Sequence, residues 1–384
     1  MRRVAVISGI RSEFFFMKPL FEAINHHVDL ELELYIAGAN LSPIHGNMIE
    51  IIQSGGFKIA GRIENLLYSD SASSRLSALA LELQIFTSMI SSDPPDIIIA
   101  TGDREEAMVS ALAGTYLNIP VFHYAAGDVG MGTADDTIRH SVSKLAHLML
   151  TITSDSADNL IQSGEEAWRI HNVGHLGQDR YRTTDIIGEN ELRHKLGIKG
   201  DGKIALVLQH PLTVDVDNAG HQMEAVLKGV SKFGFETVVI HPNSDPGTHQ
   251  MKKVIREWEK QRKILSFETL DDLTFVNLLR NTFLLVGNSS MGILEVPALK
   301  IPVINTGLRQ TGRSITGHVK YVDCNESAIH DAIELLLNNS DILDEMRNSP
   351  NPYGDGYATE KIIKLILETP LDERLMQKRY TFSG

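Results

Sequence analysis

The chain has 384 residues, enough for about two domains, and its 42% hydrophobic and 22% charged residues are ordinary for a folded globular protein. The formal net charge of −13 argues against nucleic acid or an anionic membrane as a partner, and the single cysteine, Cys324, excludes an internal disulfide framework. Met1-Arg2-Arg3 leads into an apolar run too short for a signal peptide, and no run approaches the roughly 18 apolar residues of a membrane span, so we expect a cytoplasmic protein.

Two strands in the first half are predicted where short apolar runs end in polar turns. Residues 4–7 are followed by Arg11, and residues 97–100 by Asp103 and Arg104. Runs of this kind, alternating with helical spacing, are typical of a parallel α/β sheet whose ligand-binding edge lies at the C-terminal ends of the strands. A cation beside a helix start is unfavourable without an anion, so Arg11 is a candidate anion ligand rather than only a solvated residue.

A glycine-rich, acidic loop and a helix follow the next predicted strand, residues 120–124. Asp135 and Asp136 alone can be explained as caps of that helix. If the strand order is regular, however, six titratable or cationic groups share one edge, which favours proton transfer over packing. They are Asp103, Asp128, Asp135, Asp136, Arg139 and His140.

The chain is predicted to cross into a second domain near residue 175. Strands at residues 204–208 and 237–240 then deliver His210 and Asn243 to loops. His210 is either a phosphate ligand or proton carrier, or an ordinary turn residue before a proline. Phe275, just before a helical apolar pattern, either covers a base or packs in the core.

Residues 281–313 predict a strand, a turn, a short helix, a second strand and a second polar turn. Ser289 and Ser290 follow the first strand, where hydroxyls and free N–H groups suit phosphate oxygens. Glu295 suits two neighbouring hydroxyls, and Arg309 suits the phosphates. This combination indicates a sugar that carries phosphates, such as a nucleoside diphosphate. The alternative is a serine-capped helix with Glu295 exposed.

With these residues identified, the chain resembles the UDP-N-acetylglucosamine 2-epimerase family over nearly its whole length. It is more similar to the hydrolysing branch, which makes N-acetylmannosamine for sialic acid synthesis, than to the non-hydrolysing one. Eight segments in order carry the resemblance: GIRSEF at 9–14, GDREEA at 102–107, TADDTIRHSVSKLAH at 133–147, HPLT at 210–213, HPNSDPG at 241–247, VGNSSMGILEVPAL at 286–299, GLRQTGR at 307–313 and YGDGYA at 353–358.

The resemblance implies an α/β fold with two Rossmann-like domains and parallel sheets, the GT-B type, and a nucleotide-sugar cleft between them. We place the N-terminal domain at residues 1–174, the UDP-binding domain at 175–356, and a C-terminal helix and tail at 357–384, packed back on the N-terminal domain. Assembly as a homodimer or homotetramer is also implied.

The resemblance further implies removal of the C2 proton with loss of UDP, which gives a 2-acetamidoglucal, followed by addition of water with inversion at C2. No metal or redox cofactor is needed. The UDP-binding positions are Arg11, Arg104, Asn243, Phe275, Ser289, Ser290, Glu295 and Arg309. The catalytic and sugar-contacting positions are Asp103, Asp128, Asp135, Asp136, Arg139 and His210.

One segment departs from the family pattern. The hydrolysing branch usually reads HIEGGE where residues 123–128 read HYAAGD, so Ala125 replaces a glutamate, Asp128 shortens another, and one residue is inserted before Thr133. The leading hypothesis is a hydrolysing 2-epimerase acting on UDP-GlcNAc or a related 2-acetamido sugar nucleotide. A GT-B glycosyltransferase and a catalytically impaired UDP-sugar-binding homologue are the alternatives.

Overall fold

The computed structural model describes residues 1–43, 48–67, 72–129, 134–212, 215–242, 247–310, 316–379 and 381. The chain packs into two compact units. The first comprises Met1–Asp179 together with Tyr353–Gly384, and the second comprises Arg180–Pro352. The domain boundaries near residues 174 and 356 lie within a few residues of these divisions, and as limits of folding domains they stay predictions.

The first unit is built on a parallel sheet with the strand order β3-β2-β1-β4-β5-β6-β7. The order changes direction between β1 and β4, and ligands of open α/β sheets bind at such a point. The strands are β1 (Arg2–Ser8), β2 (Leu30–Ala37), β3 (Ile59–Ile63), β4 (Ile97–Thr101), β5 (Val121–Tyr124), β6 (Leu148–Thr151) and β7 (Ile170–Asn172).

The second unit is built on another parallel sheet, with the order β10-β9-β8-β11-β12-β13 and a change of direction between β8 and β11. Its strands are β8 (Ile204–Leu208), β9 (Glu236–Ile240), β10 (Leu265–Phe267), β11 (Thr282–Gly287), β12 (Val303–Thr306) and β13 (Val319–Val322). The prediction of two parallel α/β sheets is confirmed.

Helices connect the strands, as parallel pairing requires. The first unit contains α1 (Arg11–His26), α2 (Met48–Ser54), α3 (Ala72–Ile90), α4 (Glu105–Leu117), α5 (Ala134–Leu145) and α6 (Ser154–Gln162). The second unit contains α7 (Arg180–Thr183), α8 (Glu189–Leu196), α9 (Ala219–Ser231), α10 (Thr248–Lys260), α11 (Asp272–Arg280), α12 (Met291–Leu294), α13 (Glu326–Asn338) and α14 (Ser340–Asn348). The chain returns to the first unit with α15 (Ala358–Glu368) and α16 (Glu373–Met376).

Each sheet is covered on both faces, which explains why the central strands read as continuous apolar runs. Every residue of β4 and of β8 is buried. Burying one valine, leucine or isoleucine side chain contributes about 1.5–3 kcal/mol, so these runs fix the two sheets. The polar residues that follow each run must therefore leave the core at the sheet edge.

In the described residues, no helix combines the length and the apolar character that a membrane crossing requires.

Candidate functional site

A buried arginine organises the acidic residues at the edge of the first sheet. The Arg139 side chain is 4% exposed, and its Nη2 donates to Oδ2 of Asp103. Its Nη1 donates to the backbone carbonyl of Asp128 (2.9 Å) and lies 3.5 Å from Oδ1 of Asp136. The side chains of Asp103 and Asp136 are each 26% exposed. We call Asp103, Asp136 and Arg139 the Arg139 cluster, in which two solvent-accessible carboxylates are oriented by one guanidinium.

The backbone around this cluster explains how the loops reach it. Beyond β4, Gly102 adopts a positive φ of 69°, and its N–H donates to the carbonyl of Tyr124 at the end of β5 (2.9 Å). Beyond β5, Ala125 also has a positive φ, 59°, which strains an alanine. The helix α5 then places Arg139 and His140 one turn after Asp136, on the same face of the helix. Nε2 of His140 lies 3.7 Å from Oδ1 of Asp136.

The sequence analysis missed His123, which ties these loops together. This side chain is fully buried, and burial lowers its pKa to about 4, so the ring is neutral. Its Nε2 donates to the carbonyl of Gly102 (2.8 Å), and Nδ1 accepts from the hydroxyl of Ser143 on α5 (2.9 Å). The sequence signal that could have identified His123 is its position inside a short strand, β5, whose four residues are all buried.

A second group of acids in the first unit was also missed. Glu13, Glu82 and Glu106, which we call the glutamate cluster, are 4%, 0% and 6% exposed. Burial raises the pKa of Glu13 well above its usual value, raises that of Glu82 to about 9, and raises that of Glu106. Asn65 donates to Oε2 of Glu82 (2.7 Å). Burial therefore favours the neutral form of each of these carboxyl groups, and the nearby Arg104 opposes that shift at Glu106.

Arg104, one of the two predicted anion ligands of the first unit, lies beside the glutamate cluster. Nε of Arg104 is 3.7 Å from Oε2 of Glu106, and Nη2 is 3.8 Å from Oε2 of Glu105. Arg11 is the first residue of α1 and is half-buried. Two residues earlier, glycine is required at position 9, because a Cβ atom added there would lie 1.6 Å from Oε1 of Glu106. Arg104 thus already faces carboxylates within its own unit.

In the second unit, Asn288 holds together the loops that carry predicted ligands. Its Oδ1 accepts from the N–H of His210 (2.7 Å), and its Nδ2 donates to the carbonyl of His210 (2.9 Å). Its own carbonyl accepts from Nη1 of Arg309 (3.1 Å) and Nε2 of Gln310 (3.0 Å). Asn288 is 1% exposed, so the predicted residues His210 and Arg309 are brought to one end of β8 and β11 by a residue that sequence reasoning passed over.

The serines next to Asn288 do not match the alternative of a capped, exposed helix. Ser289 and Ser290 are half-buried, and Ser290 precedes α12 without a side-chain capping bond. Helix α12 has four residues and continues as a 3₁₀ turn, Val296–Leu299. The expected helix macrodipole is therefore only that of one turn, and the hydroxyls and loop N–H groups are the main donors at this position.

Glu295 is buried rather than exposed, at 6% exposure. Its Oε2 accepts from the hydroxyl of Tyr181 (3.3 Å) and lies 3.8 Å from Nη1 of Arg180. Nη2 of Arg180 contacts Oδ1 of Asp272 (2.9 Å). We call these four residues the Arg180 cluster. Burial raises the pKa of Glu295, yet the adjacent guanidinium favours the ionised acceptor.

The remaining predicted residues divide between described and undescribed parts of the chain. Phe275, on α11, is half-buried and its ring centroid is 5.9 Å from Cζ of Arg180, so it adjoins the Arg180 cluster. Asn243 lies outside the described residues, and so does the side chain of Asp135, although α5 includes its backbone. Among the described residues, the one group of potential metal ligands is His330, Asp331 and Glu334 on α13, none of which belongs to either arginine cluster.

Comparison with known proteins gives a consistent answer. The family model for UDP-N-acetylglucosamine 2-epimerase matches residues 22–367. A protein of Legionella pneumophila named UDP-N,N'-diacetylbacillosamine 2-epimerase (hydrolyzing) is 30% identical over 98% of this chain and 99% of its own. A Campylobacter jejuni protein named GDP/UDP-N,N'-diacetylbacillosamine 2-epimerase (hydrolyzing) is 29% identical over 87% of each chain.

Solved structures agree on the fold. The crystal structure of UDP-GlcNAc 2-epimerase from Neisseria meningitidis bound to UDP-GlcNAc superposes with a TM-score of 0.81 at 19% identity, over 96% of this chain and 100% of that one. The family match over residues 22–367 includes the segments that carry the two arginine clusters. The chain belongs to the UDP-N-acetylglucosamine 2-epimerase family.

Proposed function

We propose that the protein is a hydrolysing 2-epimerase that converts a UDP-activated 2-acetamido sugar and water into UDP and the free sugar of manno configuration. The Arg139 cluster carries the proposal, because two carboxylates that are each 26% exposed are fixed by a buried guanidinium at a sheet edge. Proton transfer needs acids and bases that are oriented and also reachable by substrate.

The proposed reaction has two steps. A base removes the C2 proton, the C1–O bond breaks with its electron pair going to UDP, and a C1=C2 double bond forms. Water then adds its hydroxyl to C1 while an acid delivers a proton to C2 on the opposite face. Asp103 is the proposed proton carrier of one face, and Arg139 orients it. Asp128, Asp135, Asp136 and His210 are the candidates for the other proton transfers.

The proposed nucleotide contacts follow the chemistry of the second unit. Ser289, Ser290 and Arg309 bind the diphosphate, Glu295 accepts from the ribose hydroxyls, and Phe275 covers the base. Tyr181 and Arg180 support Glu295 in this role, since both contact its carboxylate. The resemblance assigns three further residues to UDP, Arg11, Arg104 and Asn243.

Two sugars are candidate substrates. The family model is named for UDP-GlcNAc, while two relatives are named for N,N'-diacetylbacillosamine, a sugar with two N-acetyl groups. Assembly as a homodimer or homotetramer and a role in sialic acid biosynthesis follow from the resemblance and stay predictions. The cytoplasmic location, expected from the sequence alone, also stays a prediction.

The direct experiment measures UDP release and identifies the sugar product from UDP-GlcNAc and from UDP-N,N'-diacetylbacillosamine. UDP-glucose, which has no 2-acetamido group, is the control. We expect one of the two acetamido sugars to give UDP and the free 2-epimer in equal amounts. Release of the sugar with unchanged configuration at C2, or a sugar nucleotide epimer without UDP release, would contradict the proposal.

The second candidate is a UDP-sugar-binding protein without turnover, and Ala125 is the observation that favours it, because alanine cannot carry a proton. On the leading proposal, Asp128 takes over the work of the missing acid. If calorimetry shows UDP binding while every acetamido sugar nucleotide stays intact, the binding protein replaces the epimerase.

A further inference from the structure

A lysine of the C-terminal tail, Lys378, caps the C-terminal end of α5, the helix that carries Arg139. Nζ of Lys378 donates to three backbone carbonyls at the C-terminal end of α5, those of Ser143 (2.7 Å), Lys144 (3.0 Å) and Ala146 (3.0 Å). The last carbonyls of a helix have no partner within it, and a cation there also complements the helix dipole. A residue more than 230 positions away in sequence therefore supplies the cap of α5.

A buried carboxylate holds Lys378 in place. The side chain of Glu165 is 0% exposed, with Oε2 2.6 Å from Nζ of Lys378 and Oε1 2.8 Å from Nζ of Lys144 on α5. Both lysines thus share one anion that has no access to solvent. Removing either cation would leave the buried carboxylate with a single lysine partner, which is unfavourable.

The rest of the tail is fixed by independent contacts. Arg169, fully buried, donates to the carbonyls of Leu375 (2.7 Å), Arg374 (3.0 Å) and Gln377 (3.1 Å). The ring of Trp168 has the guanidinium of Arg169 at 4.2 Å and that of Arg374 at 4.6 Å. These contacts anchor the tail whether or not Lys378 is present. A substitution at Lys378 therefore leaves the tail in place and removes two contacts of one side chain, the cap of α5 and the ion pair with Glu165.

The capped end of α5 connects directly to the loop of Asp103. The hydroxyl of Ser143 donates to His123, which in turn donates to the carbonyl of Gly102, one residue before Asp103. One turn earlier on α5, Arg139 binds Asp103 itself. Movement of the end of α5 would shift both connections to Asp103 together.

We propose that Lys378 is a positioning residue for the sugar chemistry, because it caps α5 and so holds Arg139 and His123 where they orient Asp103. This inference rests on the proposed function. It adds a residue of the tail, separate from the proposed proton carriers and nucleotide ligands, to the residues that set the turnover rate. Displacement of reacting groups by about 1 Å can lower a rate about 10²-fold, so a loosened helix end has a measurable effect.

The test compares Lys378→Met, which keeps the stem and removes the charge, with Lys378→Arg, which keeps a cation. Lys364→Met is the matched control, because Lys364 lies on α15 with its side chain 69% exposed and 3.9 Å from Glu368. Hydrogen exchange of peptides from α5 and β5 is measured along with kcat, KM and the Kd for UDP.

We expect Lys378→Met to raise exchange in α5 and to lower kcat about tenfold to a hundredfold, with the Kd for UDP within about twofold of wild type. Lys378→Arg should recover part of the rate, and Lys364→Met should match wild type. Unchanged exchange in α5, or raised exchange with a wild-type kcat, overturns the inference.

Two further results stay distinguishable. If Lys378→Met does not fold, Lys378→Gln is the substitute, since it removes the cation from the end of α5 while its amide can still donate to the carboxylate of Glu165, and the same exchange and rate criteria apply. If wild type turns over no nucleotide sugar, the proposed function fails, and exchange in α5 still decides whether Lys378 orders that helix.

Discussion

The two units each contain a buried arginine that holds two carboxylates, and they differ in how much of those carboxylates water can reach. Around Arg139, the side chains of Asp103 and Asp136 are each 26% exposed. Around Arg180, the side chains of Glu295 and Asp272 are 8% and 15% exposed, and Tyr181 adds a hydroxyl to Glu295. The same arrangement of an arginine between two carboxylates thus presents two water-accessible carboxylates around Arg139 and two largely desolvated ones around Arg180.

This difference suggests how the work of an epimerase is divided. An accessible, oriented acid can exchange protons with substrate and water, whereas a desolvated acceptor gains strength in its hydrogen bonds and gives up proton exchange. Substitutions in the Arg139 cluster should therefore act on rate, and those in the Arg180 cluster on nucleotide affinity.

The largest effect is expected for Asp103→Asn. Losing a positioned proton carrier lowers kcat by about 10²–10⁴-fold, while the Kd for UDP changes little, because the asparagine still accepts a hydrogen bond from Arg139. Steady-state kinetics and calorimetry on the same preparation check both halves. Asp158→Asn, at an exposed position of α6 in the same unit, is the control. Turnover near the wild-type rate would remove Asp103 from the mechanism.

Glu295→Ala should weaken UDP binding by roughly tenfold or more, because a charge-assisted hydrogen bond to the ribose contributes about 1.5–3 kcal/mol. Calorimetric titration with UDP measures this, and Glu257→Ala at an exposed position of α10 is the control. An unchanged Kd would show that the Arg180 cluster does not bind the nucleotide, and the contrast between the two clusters would then be structural only.

The glutamate cluster predicts an unusual dependence of stability on pH. The folded-state pKa of Glu82 is raised to about 9 by burial, so its contribution is fully present below the ordinary value of 4.5 and is lost as pH rises toward 9. Wild type should lose up to about 1.4 kcal/mol per pH unit across this window through this group.

Glu82→Gln removes the titration and should flatten that loss. Urea unfolding at about pH 6 and about pH 8.5 tests it, with Glu50→Gln on the surface of α2 as the control. If the two variants lose equal stability between these pH values, Glu82 is not held as a neutral acid.

The smallest effect concerns the strained turn that separates this chain from its family pattern. Ala125→Gly should stabilise the fold by about 0.5–1 kcal/mol, because glycine relieves the left-handed backbone at a modest entropic cost. Ala126→Gly is the matched control. It should destabilise, since Ala126 is fully buried and its φ is not positive. Equal destabilisation by both changes would mean that the turn stores no strain.

The sequence predicted the fold where burial decides it. Residues 97–100 and 204–208 were predicted as strands because short, continuous apolar runs are typical of strands buried on both faces. The structure has β4 and β8 at these positions. The four edge strands, β3, β7, β10 and β13, were missed, because they are short and only partly buried, so their sequences show no apolar run.

The site was predictable at strand ends and not beyond them. Asp103, Ser289 and Ser290 follow apolar runs, which is a local signal. Glu82 and Lys378 give no such signal, because a charged residue in a helix or a tail reads as solvent-exposed until tertiary contacts bury it. Arg180 stands directly after the predicted crossing between domains, yet its partners Asp272 and Glu295 come from distant segments.

The most direct test of the account is NMR of the reaction products in D2O, with the nucleotide sugar that the UDP-release assay identifies. The account predicts that UDP appears together with the free manno-configured sugar, and that this sugar carries one deuterium at C2, because the original C2 proton is removed and a solvent proton replaces it. Release of UDP with the original proton still at C2 would contradict it, since the acids of the Arg139 cluster would then have no proton transfer at C2 to perform.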